Sequence, residues 1–179
     1  MAVYSDVRKA VRLGAIAALS EYPTTPVIFS HLAGTEPAES YVVVNILNIE
    51  QQGHHITSTL TDTAEQLSIQ AQYEILCQFS FIGSLSGDLA QSFTQRINNN
   101  PVALEELKKQ RLGLMRKSQI RRAPQKRDTK WVEYHNMDVT FNYTVNTNQI
   151  VDVVEGVVLE DNTSEIPVII KIPDTIIYP

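Results

Sequence analysis

Leu67-Ser68-Ile69-Gln70-Ala71-Gln72-Tyr73-Glu74-Ile75-Leu76-Cys77-Gln78-Phe79-Ser80-Phe81-Ile82 is the stretch on which the fold turns. Its odd positions are apolar throughout, and its even positions are mostly Ser, Gln and Glu. Successive side chains of a strand point to opposite faces, so this period of two lays one unbroken apolar row along one side of a sheet. The segment 67–82 at ~3.3 Å per residue spans roughly 50 Å, several times an ordinary strand of ~5–6 residues. A compact chain of 179 residues has a radius of gyration of only ~16 Å. Such a strand must curl or reach past its own domain, and a projecting edge with an apolar row invites a partner. The pattern points to an assembly protein.

On the N-terminal side, Ser5 to about Ser20 has the spacing of an amphipathic helix, with Ser5 as N-cap and Val7, Val11, Ala15, Ala18 and Leu19 on one face. Tyr22-Pro23-Thr24-Thr25-Pro26 ends it. Val27-Ile28-Phe29 is a short strand, and Tyr41 to Ile49, rich in β-branched residues, is a longer one. Gln51 to Thr63 reads as a polar turn region, so Tyr41–Ile49 and Leu67–Ile82 pair most simply as an antiparallel hairpin.

On the C-terminal side, Gly83-Ser84-Leu85-Ser86-Gly87-Asp88 leads into a helix, with Ser84 or Ser86 as cap and Leu89, Ala90, Phe93 and Ile97 as the buried stripe. Asn100 caps and Pro101 starts a second helix, Val102 to about Gly113, with Leu104 and Leu107 inward. Leu114 to Lys130 has no clear period. Trp131 to Val145 alternates again, Asn146-Thr147-Asn148 reads as a turn, and Ile150 to Leu159 pairs back. The expected class is α+β: a mainly antiparallel sheet with a long β-hairpin, flanked by helices. Residues 1–165 form one ring-forming domain, and 166–179, interrupted by Pro167 and Pro173, form an extended C-terminal arm.

The net charge of −5 conceals segregation. Ten Lys/Arg and one acid lie between Lys108 and Lys130, against five basic and nineteen acidic residues elsewhere. A basic stripe on an acidic chain reads in three ways: a solvated loop that needs no partner, a docking surface for an acidic protein partner, or a nucleic-acid surface with Trp131 or Tyr134 available to stack. The candidate contact residues are Arg116, Lys117, Arg121, Arg122, Lys126, Arg127 and Lys130, joined by Ile169, Ile170 and Ile172 of the apolar tail. Catalytic chemistry finds no foothold. The neighbouring His54 and His55 diverge in direction and lack companions at ligand spacing. The Gly83–Gly87 segment lacks the lysine of a phosphate loop, and no base can be named for Ser84 or Ser86. No catalytic, cofactor or metal residues are expected, and an enzyme is not. One cysteine, Cys77, excludes an intramolecular disulfide and reads as a small buried hydrophobe. No secretory leader or membrane span is visible, so synthesis in a reducing cytosol is expected.

The block Tyr73–Phe93, with its Phe-x-Phe-x-Gly-x-x-Ser-x-x-Leu-Ala-x-x-Phe pattern from Phe79, resembles the neck or tail terminator proteins of tailed bacteriophages. The strand Asp138-Val139-Thr140-Phe141-Asn142-Tyr143 adds to the likeness, which covers most of residues 5–160. The resemblance implies a virion structural protein assembled in the host bacterial cytoplasm. It implies a homo-oligomer, a hexameric ring, that caps the tail tube and joins it to the head-side neck connector, with the tail sheath as a further candidate partner. Genomic DNA would pass the lumen without specific binding, and no membrane is involved. The alternatives are another neck ring (a head-side stopper or adaptor) and a basic nucleic-acid-binding module.

Overall fold

The computed structural model describes residues 3–31, 35–59, 66–127, 129–150, 157–159 and 168–170. The elements run α1 (Val3–Ala18), β1 (Val27–Phe29), β2 (Tyr41–Thr59), β3 (Gln66–Ile82), α2 (Ser86–Arg96), α3 (Pro101–Lys109), β4 (Leu112–Lys117), β5 (Arg121–Arg122), β6 (Gln125–Arg127), β7 (Lys130–Val132), β8 (Tyr134–Ile150), β9 (Val157–Leu159) and β10 (Val168–Ile170). The class is α+β, as expected. Chain contacts divide it into two compact units, Met1–Ile56 with Gln70–Asn146, and Thr57–Ile69 with Thr147–Pro179.

The principal sheet has the order β1-β2-β3-β8-β4, with β5 also on β8. Strands β2 and β3 are neighbours, and the 60–65 connection between them is too short for a parallel crossover, so they form the anticipated antiparallel hairpin. It is longer than expected. β2 continues to Thr59, and the Gln51–Thr63 polar region, Gly53 included, is largely strand. β8 likewise runs to Ile150, so Asn146-Thr147-Asn148 is no turn, and Val157–Leu159 pairs with Val168–Ile170 instead of returning onto β8. Polar sequence costs a strand little when its neighbours in a sheet complete its hydrogen bonds. β1 joins β2 in parallel, Val27 opposite Val42 and Phe29 opposite Val44.

The odd-numbered row of β3 faces inward as its alternation requires: Ala71, Ile75, Cys77, Phe79 and Phe81 are all buried. Val42 and Val44 of β2 and Met137, Val139 and Phe141 of β8 continue this face. Over it lie α1 through Val7, Val11, Ala15 and Ala18, α2 through Leu89, Ala90 and Phe93, and α3 through Ala103 and Leu107. The Phe93 ring sits 4.7 Å from Phe79 and 5.5 Å from Phe81, centroid to centroid. The apolar row expected to need another molecule is therefore covered by the chain's own helices from Ile75 onward. Burial pushes the Cys77 thiol up to about 12, so it stays protonated and inert.

Three local expectations change. α1 begins at Val3, which puts Ser5 inside the helix and not at its cap. α3 ends at Lys109, because Arg111 takes a left-handed φ of 58° that turns the chain into β4. Its inward residues are Ala103 and Leu107, four apart, which leaves Leu104 45 % exposed. Asn100 does cap α3, its side-chain oxygen accepting from the Val102 and Ala103 amides, and Pro101 opens the helix.

Candidate functional site: the folded basic segment

The basic stretch is not a loose loop. β4 and β5 run antiparallel along β8, from Leu112 opposite Tyr143 to Arg122 opposite His135. The register slips between Leu114 and Arg116, a bulge that leaves Met115 exposed. β6 and β7 then form a separate two-stranded sheet, with Gln125 opposite Val132, Lys126 opposite Trp131 and Arg127 opposite Lys130. A segment without apolar alternation becomes strand because β8 offers a free edge for pairing.

Four of the ten cations expected to form a stripe are matched by carboxylates within the chain. Arg116 reaches Glu74 at 2.9 Å and the Thr140 hydroxyl at 3.0 Å. Arg121 meets Asp138 at 2.5 Å. Arg122 grips Glu133 with two nitrogens, at 2.9 and 2.5 Å, and this holds the Glu133 carboxyl below the usual range. Arg127 pairs with Glu36. Lys117 donates to the Thr94 carbonyl at 2.6 Å and to Asn98, closing the C-terminal end of α2. Exposed pairs of this kind contribute only ~0–1 kcal/mol each. Their consequence here is electrostatic: four of the ten cations no longer offer an unopposed charge. Among the described residues, Lys126 and Lys130 have no carboxylate partner. Ile169 and Ile170 lie in β10, paired with β9, while Ile172 falls outside the described residues.

A second, small apolar cluster sits on the opposite face of the sheet from the helices. It joins Tyr41, Ile82 and Tyr134, with Ile28, Val43 and Val132 packed around them. The Tyr41 hydroxyl donates to Glu36, which also takes the Arg127 guanidinium, and that guanidinium lies 5.3 Å over the Tyr134 ring. The Tyr41 hydrogen bond and the Arg127 contact both draw the Glu36 carboxyl below its usual range. Burial, then the Glu36 carboxylate, push the Tyr41 phenol up to about 12. A phenol whose proton is held more tightly in the folded state stabilises the fold fully below pH ~10 and loses that contribution as pH climbs towards 12. Thermal unfolding between pH 9 and 11.5 should therefore show a falling melting temperature, with stability lost at up to ~1.4 kcal/mol per pH unit. Tyr41→Phe should flatten that slope, and 295 nm absorbance should show one fewer late-ionising tyrosine.

Sequence reasoning found no base for Ser86, yet the fold supplies a neighbour: His135 Nδ1 lies 3.0 Å from its hydroxyl, 49 residues away. Ser86 is 1 % exposed and His135 half-buried, and their contact ties α2 to β8. This contact also explains why Ser86 does not cap α2. The Leu85 amide at that end instead donates to the Ser40 hydroxyl at 3.0 Å. Among the described residues no group of three or more His, Cys, Asp and Glu is placed to hold a metal ion, and no helix is long and apolar enough to cross a membrane.

No curated protein matches the chain. A family model described as phage neck terminator protein matches residues 1–166, which takes in the whole of the folded basic segment as well as the Phe-x-Phe-x-Gly block. The strands, helices and enclosed polar groups thus belong to a structural part of a virion's tail and neck, and the chain is a member of the phage neck terminator family.

Proposed function

We propose that copies of this chain close into a hexameric ring that caps the completed tail tube and joins it to the head-side neck connector. The family match over residues 1–166 carries this reading. Capping would work by geometry: one face of the ring matches the last tube ring, hides its growing end and halts addition, while the other face receives the neck. The sheet edges favour contacts through side chains over strand addition. β1 has three residues, and its Val27 carbonyl accepts from Arg12 at 3.0 Å, while β4 carries a bulge. The internal matching of Arg116, Arg121, Arg122 and Arg127 counts against a nucleic-acid-binding module, which would need those charges for phosphates.

Purified protein added to growing tail tubes should stop elongation, with a ring of sixfold mass at one end under the electron microscope. Continued elongation would overturn the terminator reading. Binding to the head-side portal assembly alone, with tubes left open, would reassign the ring to a stopper or adaptor.

A further inference from the structure

α1 buries Val7, Val11, Ala15 and Ala18, and the helical period turns Ser5, Arg8, Lys9, Arg12 and Ile16 to its other side. Two adjoining surface hollows lie along that side and share Lys9. The larger, of about 390 Å³, is walled by Arg8, Arg12, Leu13 and Phe29. The smaller, of about 230 Å³, is walled by Lys109, Arg111 and Tyr143, with Asp6 as its one acid. Five cations thus border the hollows: Arg8, Lys9 and Arg12 of α1, Lys109 at the end of α3 and Arg111 in the turn to β4. Among the described residues none of the five has a carboxylate at ion-pair distance, in contrast to Arg116, Arg121, Arg122 and Arg127.

Two of these charges are held in place without being neutralised. The Arg8 guanidinium lies 4.3 Å over the Phe29 ring and 5.8 Å from that of Tyr4, and Arg12 Nε donates to the Val27 carbonyl at 3.0 Å. A positioned guanidinium loses little further freedom when it meets an anion, and its planar fork suits a carboxylate. Tyr4 and Ile16, both large and exposed, flank the cations. Arginine and aromatic residues beside apolar ones are the composition of a protein interface. A nucleic-acid surface works chiefly through phosphate contacts and gains nothing from an exposed Ile16. The face therefore fits an acidic protein surface. Kinetics favour such a face on a cap, which must reach the tube end before the next tube ring does. Opposite charge raises encounter rates by about 10–10³-fold.

We propose that the outer face of α1 is the surface with which this chain meets the tail tube, and that the tube end it reads is an acidic protein surface. Carboxylates of the tube pair with Arg8, Lys9 and Arg12, and an apolar side chain enters the hollow beside Leu13 and Phe29. The proposal rests on the terminator reading above and adds to it the face and its chemistry. Purified protein added to growing tail tubes gives the capping rate. For wild type, raising salt from about 0.05 to about 0.5 M should slow capping about tenfold or more, because screening removes the steering. Lys9→Glu with Arg12→Glu should slow it about tenfold or more at low salt and leave little salt dependence. The milder Lys9→Gln with Lys109→Gln, at two exposed positions, should act in the same direction with the melting temperature unchanged. Ring formation by both variants, read by native mass spectrometry, should match wild type. Wild type that fails to cap would overturn the terminator reading itself. Capping by wild type and by both variants at one rate would overturn the α1 assignment alone and leave that reading intact. Rings lost in the variants would make the face a contact between copies, and DNA binding at physiological salt that the variants abolish would make it a nucleic-acid surface; either result overturns the proposal.

Discussion

Phe79→Ala should remove about 3–5 kcal/mol of stability. The ring is fully buried at the centre of the sheet, 4.7 Å from Phe93 and 6.5 Å, edge-on, from Phe141. Truncation loses the transfer energy of the ring and opens a void between β3, α2 and β8, which the stiff sheet and two flanking aromatics cannot close. A single domain has only ~5–15 kcal/mol in total, so a substantial share disappears with one side chain. Urea denaturation should show the midpoint falling with an unchanged slope. Phe79→Leu should cost markedly less, because most of the volume remains. A loss under ~1 kcal/mol for the alanine variant would mean that the phenylalanine cluster is not the centre of the core.

Gly83→Ala should cost about 2–4 kcal/mol, far more than its single methyl suggests. Gly83 takes a φ of +107° at the β3–α2 junction, a conformation L side chains rarely adopt. A Cβ there would stand 2.6 Å from the Ser40 hydroxyl and 2.8 Å from the Ser40 Cα. The hydroxyl accepts from the Leu85 amide at the start of α2, and the Cα is backbone, so neither can give way cheaply. The Gly83 amide also donates to the Glu133 carbonyl at 3.0 Å, tying the junction to the β7–β8 region. Gly87→Ala is the control: its Cβ would meet the His135 ring at 3.5 Å, an ordinary contact, inside a helix. That change should be neutral or slightly stabilising by thermal melt. Equal losses at the two glycines would refute the junction argument.

The core was legible because its signals are local and repeated. Alternation at Ala71, Ile75, Cys77, Phe79 and Phe81 and the stripe Leu89, Ala90, Phe93 and Ile97 appear buried as their periods require. The Asn100-Pro101 start of α3 was readable for the same reason, since cap and first turn lie within four residues. Signals that depend on a distant partner were not. Ser86 has the identity of a cap but is taken by His135, and Asn146-Thr147-Asn148 has turn composition but is held extended in β8.

The charge pattern shows the same division most clearly. By itself the sequence determined the α+β class, the long central hairpin and the helical cover, because hydrophobic periodicity records which side of each element leaves water. It also recorded ten cations between Lys108 and Lys130. Only the tertiary structure decided that Arg116, Arg121, Arg122 and Arg127 face Glu74, Asp138, Glu133 and Glu36, while Trp131 and Lys126 face outward. Coulomb interaction depends on distance in space, and partners up to 91 residues apart in the chain become neighbours only once the sheet has formed.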